Sequence, residues 1–449
     1  MRRRDAIRTL GAAAVGRSLR AQTARPNIVF VLVDDLRWDG LGCTGHPFVQ
    51  TPHIDRIARE GVLFRNAFVT TPLCSPARAS FLTGRYAHAH GVRDNTDNAA
   101  LSHRLVTFPK LLQDAGYRTA YVGKWHMGTD DSPRPGFDRW VSFRGQGVFG
   151  NPPMNIDGKP VQSEGYMTDL LGGHAADFLR QKHDKPFCLY LAHKAIHGPF
   201  TPAERHKNDY SEQPVKRSPN AKDTLAGKPA LTRILDGQPA VRPGGGSPDQ
   251  LIRDQMRCMR SVDDSVGAVL KALEDTGRLD NTLVLFTSDN GYFWGEHALG
   301  DKRWAYEESV RIPMLARYPA RIRAGSQIQQ DVLNIDIAPT MLDLAGVRVP
   351  REIHGQSMLP LLGQNMPAWR DSFLAEYFQE ERNPRVPTWQ GVRAGRWKYV
   401  HYTQLEAMDE LYDLEKDPGE MNNLIGDRAA KSVLDKLKGE LARILKETA

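Results

Sequence analysis

Two clusters of oxygen-bearing side chains each follow a run of strand-forming residues. Asp34 and Asp35 come directly after the apolar run 28–33, and Asp289 and Asn290 follow the run 282–286. Singly, such clusters are typical of a solvated loop or an Asx turn. Together they offer four oxygen ligands, which suit a hard cation such as calcium or magnesium, whereas zinc prefers nearby His or Cys. The sequence therefore predicts one cation site.

A third candidate group is the thiol of Cys74, which precedes a predicted short helix over 78–83. That position places the thiol at the positive end of the helix dipole, with Arg78 close by. The pattern is compatible with an incidental thiol beside a helix start and with a nucleophile at an anion-binding terminus. The chain has four cysteines and no C-x-x-C or zinc-ligand spacing.

Five further side chains could act on an anion: Lys124, His126, His193, His197 and Lys302. Each one alone would more often be structural or solvated. The predicted strands that precede them place all of them at one edge of a sheet, where α/β proteins bind their ligands. A site rich in cations, imidazoles and a hard metal suits a tetrahedral oxyanion in a displacement reaction.

The elements that must position these groups alternate along the chain. Apolar runs predict strands over 28–33, 118–122, 187–192 and 282–286. Helical patterns cover 53–61, 78–83, 108–115, 168–181, 250–275 and 335–345. This alternation predicts an α/β sandwich with a mostly parallel central sheet.

The chain divides by composition into a large domain, 26–365, which contains all the candidate residues, and a smaller domain, 366–449. Within the first, the polar and proline-rich segment 204–249 predicts a surface insertion. In the second, short strands over 373–375, 391–393 and 397–402 and a helix from about residue 429 predict an α+β unit with an antiparallel sheet. No internal repeat is present.

Charge and length exclude several classes of protein. The 449 residues carry a net charge of +7, of which residues 1–25 contribute seven arginines and one aspartate. The remaining chain is nearly neutral, which disfavours a nucleic-acid surface. No apolar run approaches the ~18 residues that span a bilayer. Residues 1–25 resemble a twin-arginine export signal and predict a periplasmic or secreted protein, with a disordered basic arm as the alternative.

Two longer motifs carry a family resemblance. Residues 74–78 read C-S-P-A-R and lead to L-T-G-R at 82–85, and residues 116–126 read G-Y-R-T-A-Y-V-G-K-W-H. Both match signatures of the type I, formylglycine-dependent sulfatases, and the resemblance continues to the L-Y-D-L segment at 411–414. The resemblance implies the alkaline-phosphatase-like α/β/α sandwich with a small C-terminal domain.

For Cys74, the resemblance implies oxidation to formylglycine by a maturation enzyme. The hydrated aldehyde would attack sulfur, release the alcohol and then expel sulfate. The ligands carried over for one calcium ion are Asp34, Asp35, Asp289, Asn290 and the modified Cys74. The all-oxygen set separates this chain from two-zinc phosphatases, which require histidine ligands.

The resemblance also assigns roles to the charged residues. Arg78 and Lys124 would hold the modified cysteine, and Lys124 and Lys302 would bind sulfate oxygens. Asp289 would help to activate the attacking hydroxyl.

Three histidines would handle protons. His126 would deprotonate the remaining hydroxyl when sulfate is expelled. His197, in a His-x-Pro context, is the first choice for the leaving-group acid, and His193 is the alternative.

The substrate class is drawn from four segments: 290–292, 295–297, 301–303 and 306–308. They resemble bacterial sulfatases of the N-acetylglucosamine-6-sulfatase group, which implies a sulfated carbohydrate such as a glycosaminoglycan sugar. One alternative is a phosphonate monoester or phosphodiester hydrolase that uses the same residues. Another is a non-catalytic glycan-binding relative in which Cys74 stays a thiol.

Overall fold

The computed structural model describes residues 25–96, 98–363 and 368–449. The predicted export signal, residues 1–25, lies almost entirely outside these ranges. The strands of the described residues are β1 (Asn27–Val33), β2 (Val62–Phe68), β3 (Arg118–Gly123), β4 (Arg139–Ser142), β5 (Pro153–Ile156), β6 (Lys159–Gln162), β7 (Phe187–Ala192), β8 (Ile234–Leu235), β9 (Gln238–Pro239), β10 (Thr282–Ser288), β11 (Phe293–Trp294), β12 (Gly300–Asp301), β13 (Arg311–Arg317), β14 (Ser326–Ile328), β15 (Val332–Leu333), β16 (Ser372–Tyr377), β17 (Trp389–Ala394), β18 (Trp397–Tyr402) and β19 (Glu410–Asp413).

The α-helices of the same ranges are α1 (Pro52–Arg59), α2 (Cys74–Thr83), α3 (Ala87–His90), α4 (Ala99–Ser102), α5 (Phe108–Asp114), α6 (Met167–Arg180), α7 (Pro229–Thr232), α8 (Asp249–Asp275), α9 (Glu307–Val310), α10 (Ile337–Leu344) and α11 (Lys431–Glu447). No helix in the described ranges is both long and apolar enough to cross a membrane.

The central sheet has eleven strands in the order β14-β2-β13-β10-β1-β7-β3-β4-β5-β6, with β15 also beside β2. The run β10-β1-β7-β3-β4 is parallel throughout. Strand β1 lies in the middle, and all seven of its residues are buried. Its apolar run suits a strand covered on both faces.

Alternate residues of β1 separate the two helical layers. Val29, Val31 and Val33 belong to the core that includes α6 and α8. Ile28, Phe30 and Leu32 belong to the core that includes α2, α5 and α10. Because side chains alternate across a strand, one buried strand supplies both cores. The predicted α/β/α sandwich is confirmed.

A second sheet follows in the C-terminal part, with antiparallel strands β16-β17-β18-β19 and helix α11 packed on β16, β17 and β18. Three of these strands follow the sequence pattern. The fourth, β19, was not predicted because it begins and ends with acidic residues. Both are buried, and Glu410 accepts hydrogen bonds from the hydroxyls of Tyr306, Tyr402 and Tyr412.

The segment 204–249 differs from a simple surface insertion. It is largely exposed, and Ile234 is 66% exposed. Its inner side is buried: Lys228 Nζ lies 3.0 Å from Asp223 Oδ2, and Asn220 Nδ2 donates to Glu308 Oε1 over 2.8 Å. Several of its polar side chains are therefore buried and form ion pairs or hydrogen bonds. The proposed boundary between the two domains, at 365/366, falls within 364–367, which lie outside the described residues, and stays a prediction.

Candidate active site

The polar side chains that end the parallel strands meet at one edge of the central sheet. Strands β1 and β10 run in register, with Val33 opposite Ser288. The Asp289 amide donates to Val33 O over 2.9 Å, and the Lys124 amide donates to Ala192 O over 2.8 Å. These main-chain bonds extend the ladder past the strand ends, so the following side chains start from fixed positions.

Three carboxylates form the centre of this edge. Asp34, Asp35 and Asp289 are buried, and a ligand atom of each lies within 4.8 Å of the others. Asp35 has a left-handed backbone, with φ of 63°, and its amide donates to Asp289 Oδ1 over 3.2 Å. Asn290 Nδ2 donates to Asp35 Oδ1 over 2.6 Å. The two predicted oxygen clusters therefore converge.

Cys74 is the first residue of α2, which begins four residues earlier than the sequence pattern indicates. The residue is fully buried, and its Sγ lies 3.5 Å from Asp34 Oδ1. Burial, followed by the charge of Asp34, raises the pKa of the thiol to about 12. Among the described side chains, the surroundings of Cys74 therefore favour a neutral thiol.

Three cations surround the carboxylates. Arg78 Nε donates to Asp289 Oδ2 over 2.9 Å, and its Nη2 donates to Asp34 Oδ2 over 3.2 Å. Lys124 Nζ pairs with Asp34, and Lys302 Nζ pairs with Asp35. Burial raises the pKa of Asp34, but the opposing charges, led by Lys124, hold it well below its ordinary value.

Two of the predicted histidines lie at the cluster. His197 Nε2 is 3.8 Å from Asp35 Oδ2. Burial, followed by Lys124, lowers the pKa of His197 to about 4. His126 has a left-handed backbone, with φ of 59°, and its carbonyl accepts from the Ser75 hydroxyl. Burial, with Lys124 next, also lowers the pKa of His126 well below its ordinary value. Both shifts favour the neutral form of the imidazole.

His193 is not brought into this cluster, which corrects its place as the alternative acid. Its ring is fully buried, and Nε2 lies 3.2 Å from the hydroxyl of Ser265 on α8. Its Nδ1 has no hydrogen-bond partner among the described residues. As the first residue after β7, His193 faces the α8 layer, whereas the three residues that separate it from His197 return the chain to the site.

Sequence reasoning missed two supporting residues. Ser288, the last residue of β10, accepts from the Leu36 amide over 2.9 Å and donates to Asn290 O over 2.8 Å, so it joins both oxygen clusters. Lys194 is 1% exposed and lies in the loop that carries His197. Ser288 could have been found from the sequence, because it is a polar residue just past the end of a predicted strand. For Lys194 no local pattern distinguishes burial from solvation.

The residues present fit a divalent cation. Asn290 Oδ1 is buried and has no hydrogen-bond partner among the described residues. Burial, followed by the charge of Asp34, raises the pKa of Asp289, so the three carboxylates are not fully compensated by the side chains around them. An orphaned amide oxygen beside three crowded carboxylates is the donor set that calcium or magnesium prefers.

The chain is similar to known proteins over nearly its whole length. The sulfatase family model matches residues 26–347, and the model for the C-terminal part of N-sulphoglucosamine sulphohydrolase matches 295–447. The N-acetylglucosamine-6-O-sulfatase of Bacteroides thetaiotaomicron is 33% identical over 98% of this chain and 89% of its own length.

Two solved structures have the same fold. One is a complex of a protein with its substrate D-glucosamine-2-N,6-O-disulfate. It has a TM-score of 0.86 and 33% identity and covers 94% of this chain and 98% of its own. The other is the phosphonate monoester hydrolase of Agrobacterium radiobacter, with a TM-score of 0.76, 26% identity and coverage of 95% and 96%.

Proposed function

This chain belongs to the sulfatase family, and from that premise we propose that it removes the 6-O-sulfate group from N-acetylglucosamine or a related glycosaminoglycan sugar. It is a sulfuric ester hydrolase. The relative of known activity and the solved complex with a disulfated glucosamine support the choice of sugar. The observation that carries the proposal is the place of Cys74 Sγ, 3.5 Å from Asp34 Oδ1 within a buried cluster of carboxylates and cations.

In the proposed mechanism, a maturation enzyme oxidises Cys74 to formylglycine. The hydrated aldehyde supplies one hydroxyl to attack sulfur and a second to release the sulfate. Asp34, Asp35, Asp289, Asn290 and the modified residue would hold a calcium ion, which would supply Lewis acidity toward the sulfate oxygens. The side chains of the protein then orient the ester and move protons.

Three cationic side chains orient the site and the sulfate ester. Arg78 bridges Asp34 and Asp289 and donates through Nη1 to Lys124 O over 2.6 Å, so it orients the residues around position 74. Lys124 and Lys302 present buried ammonium groups that bind sulfate oxygens. Because both groups are already desolvated by the fold, they stabilise charge that develops in the transition state without further reorganisation.

Proton transfer is assigned to two imidazoles. His197 protonates the departing sugar oxygen, and His126 takes the proton of the remaining hydroxyl when sulfate leaves. The neutral ring of His197 gains its proton as the anionic ester enters, since a nearby negative charge raises the pKa of an imidazole. A general acid matters most for a poor leaving group such as a sugar alkoxide. His197→Ala should therefore impair a sugar sulfate far more than 4-nitrophenyl sulfate, and His193→Ala should not show this difference.

Two experiments test the function. Mass spectrometry of the peptide that contains Cys74, after co-expression with a formylglycine-generating enzyme, should find the aldehyde. The matured protein should release sulfate from N-acetylglucosamine 6-sulfate. The phosphonate hydrolase neighbour favours a second candidate on the same residues, so a phosphonate monoester belongs in the same panel. A preference for the phosphonate monoester over the sulfate ester would contradict the proposal. A protein that binds glycan but is unmodified at Cys74 and inactive would indicate the non-catalytic alternative.

We also propose that residues 1–25 direct export, by a twin-arginine route, to the periplasm or the medium. The arginine-rich composition supports this. Expression of the full chain with and without Arg2, Arg3 and Arg4 replaced by lysine, followed by cell fractionation, tests it. Equal export of both forms would contradict the twin-arginine route.

A further inference from the structure

Lys194 is a buried cation that the mechanism above does not use. Its residue is 1% exposed, and no carboxylate oxygen in the described ranges lies within 4 Å of its ammonium group. Other buried lysines of this protein, such as Lys302 and Lys398, each pair with a carboxylate. Burial, with Lys124 next, lowers the pKa of Lys194 to about 8. The opposing charges of Asp34 and Asp35 act on it only from beyond ion-pair distance. Burying a charge without a direct ion pair costs free energy.

The ammonium group of Lys194 contacts the main chain next to His197. Nζ donates to Gly198 O over 2.8 Å and lies 4.6 Å from the centre of the Phe149 ring. The same carbonyl oxygen is 3.0 Å from His197 Nδ1. Gly198 O therefore accepts from both the ammonium group and the imidazole. A carbonyl oxygen accepts only, so Nδ1 carries the hydrogen and Nε2 is the nitrogen directed to the site, 3.8 Å from Asp35 Oδ2.

The rest of this loop is held at its main chain. Asp34 N donates to Ala195 O, and Ile196 N donates to Asp34 O, each over 2.9 Å. The His197 amide donates to Lys194 O over 3.1 Å. These bonds fix the backbone up to residue 197. Beyond it, the direction of the Gly198 carbonyl sets the orientation of the His197 ring, and the side chain of Lys194 holds that carbonyl.

We propose that Lys194 is a positioning residue for leaving-group protonation, acting through the Gly198 carbonyl to hold the His197 ring with Nε2 toward the departing oxygen. This rests on the proposed function, in which His197 is the acid. Without the ammonium group the carbonyl is free to rotate, and the ring loses its fixed orientation. The loss appears in kcat with a sugar sulfate, because binding of the sulfate depends on Lys124 and Lys302 instead.

The variants are Lys194→Met, which removes the donor, and Lys194→Gln, which keeps an N–H donor without the charge. The matched control is Tyr166→Phe. Tyr166 OH donates to Thr201 O over 2.9 Å in the same loop, and its ring stacks on Phe149, but it does not contact Gly198. Two substrates are compared, N-acetylglucosamine 6-sulfate and 4-nitrophenyl sulfate, whose nitrophenolate leaves without an acid.

We expect Lys194→Met to lower kcat on the sugar sulfate by about 10-fold, a part of the 10²–10⁴ that a general acid contributes. KM on the sugar and kcat on 4-nitrophenyl sulfate should change much less. Lys194→Gln should show the same selective loss to a smaller degree, which provides the test if the Met variant does not fold. Tyr166→Phe should affect both substrates alike.

A double-mutant cycle decides whether the effect passes through His197. In a His197→Ala background, Lys194→Met should add less than about a twofold loss, because coupled residues are not additive. Equal loss on both substrates, or the full 10-fold loss in the His197→Ala background, would overturn the inference while the proposed function stands. A matured wild-type protein that is inactive on every sulfate ester would refute the proposed function and this inference with it.

Discussion

Replacing Lys302 by methionine removes a buried ammonium group from the site and keeps most of the side-chain volume. Lys302 is 3% exposed, and its Nζ pairs with Asp35 Oδ1. Burial alone would lower the pKa of this lysine, but the neighbouring anions, led by Asp35, raise it well above its ordinary value. The group is therefore charged at neutral pH, and the substitution removes one positive charge.

The effect on turnover follows from the charge that the group stabilises. With about half a unit charge developing on an oxygen about 2.8 Å from Nζ, and an effective dielectric of about 20, the interaction is about 3 kcal/mol. That corresponds to a loss of about 10²-fold in kcat/KM, within the range of about 10²–10³ for one preorganised donor. The loss should be similar for every sulfate ester, because it concerns the sulfate and not the alcohol.

Stability provides a second readout. Removing one partner of a buried ion pair costs about 3–5 kcal/mol, because the other charge stays buried alone. In Lys302→Met that charge is Asp35, a proposed metal ligand, so calcium should offset part of the cost. The melting temperature of Lys302→Met should therefore fall more in EDTA than in calcium.

The control is Lys398→Met in the C-terminal sheet. Lys398 is 5% exposed and pairs with Glu307 over 2.9 Å and Glu420 over 2.7 Å. This variant should lose comparable stability that does not depend on calcium, while kcat/KM of the folded protein changes little. A loss in Lys302→Met that is confined to one sugar would refute the sulfate-binding role and make Lys302 a residue of sugar specificity.

Three further predictions concern the nucleophile, the metal and acid stability. Cys74→Ser should be folded but nearly inactive, because a serine ester of sulfate lacks the second hydroxyl that releases it; full activity, measured as sulfate release, would exclude the formylglycine mechanism. EDTA should inactivate the matured enzyme and calcium or magnesium should restore it, whereas two zinc ions per chain by elemental analysis would contradict the all-oxygen site. Burial, with Arg85 next, lowers the pKa of His90 from 6.5 to about 3. Only the unfolded chain takes up this proton between those values, so stability falls as pH drops below 6.5, by about 2 kcal/mol at pH 5 from this residue. Urea unfolding of His90→Gln should show a smaller difference between pH 7 and pH 5, and an unchanged difference would contradict the assignment.

The parallel part of the fold could be predicted because its strands are buried on both faces. Each of β1, β7 and β10 is a short continuous apolar run, and polar residues begin where the run ends. In a parallel sheet those ends share one edge, so the sequence brings together residues such as Asp34 and Asp289 without further information. The helices differed from prediction mainly at their ends, as at Cys74.

The buried ionic contacts could not be predicted in this way. Lys194, Lys228 and Glu410 are charged residues in polar stretches, where the local pattern indicates solvent exposure, yet each is at most 1% exposed. A partner can lie far along the chain: Lys228 Nζ, for example, donates to Met421 O over 3.3 Å. The positions of His193 and His197 could not be predicted from the sequence either, because they depend on backbone hydrogen bonds between Asp34 and the loop 195–196.

The charge of the site connects these observations to the chemistry of sulfate. Three buried carboxylates face three buried cations in the pairs that Arg78, Lys124 and Lys302 make, and the two imidazoles are neutral. Each of these cations is therefore already engaged by a carboxylate, which leaves little attraction for an anionic ester. A divalent cation held by these carboxylates, as proposed above, would make the same site positive and would compete with the lysines for Asp34 and Asp35. Lys124 and Lys302 would then be able to donate to sulfate oxygens, so in the proposed function metal binding and recognition of the ester depend on the same carboxylates.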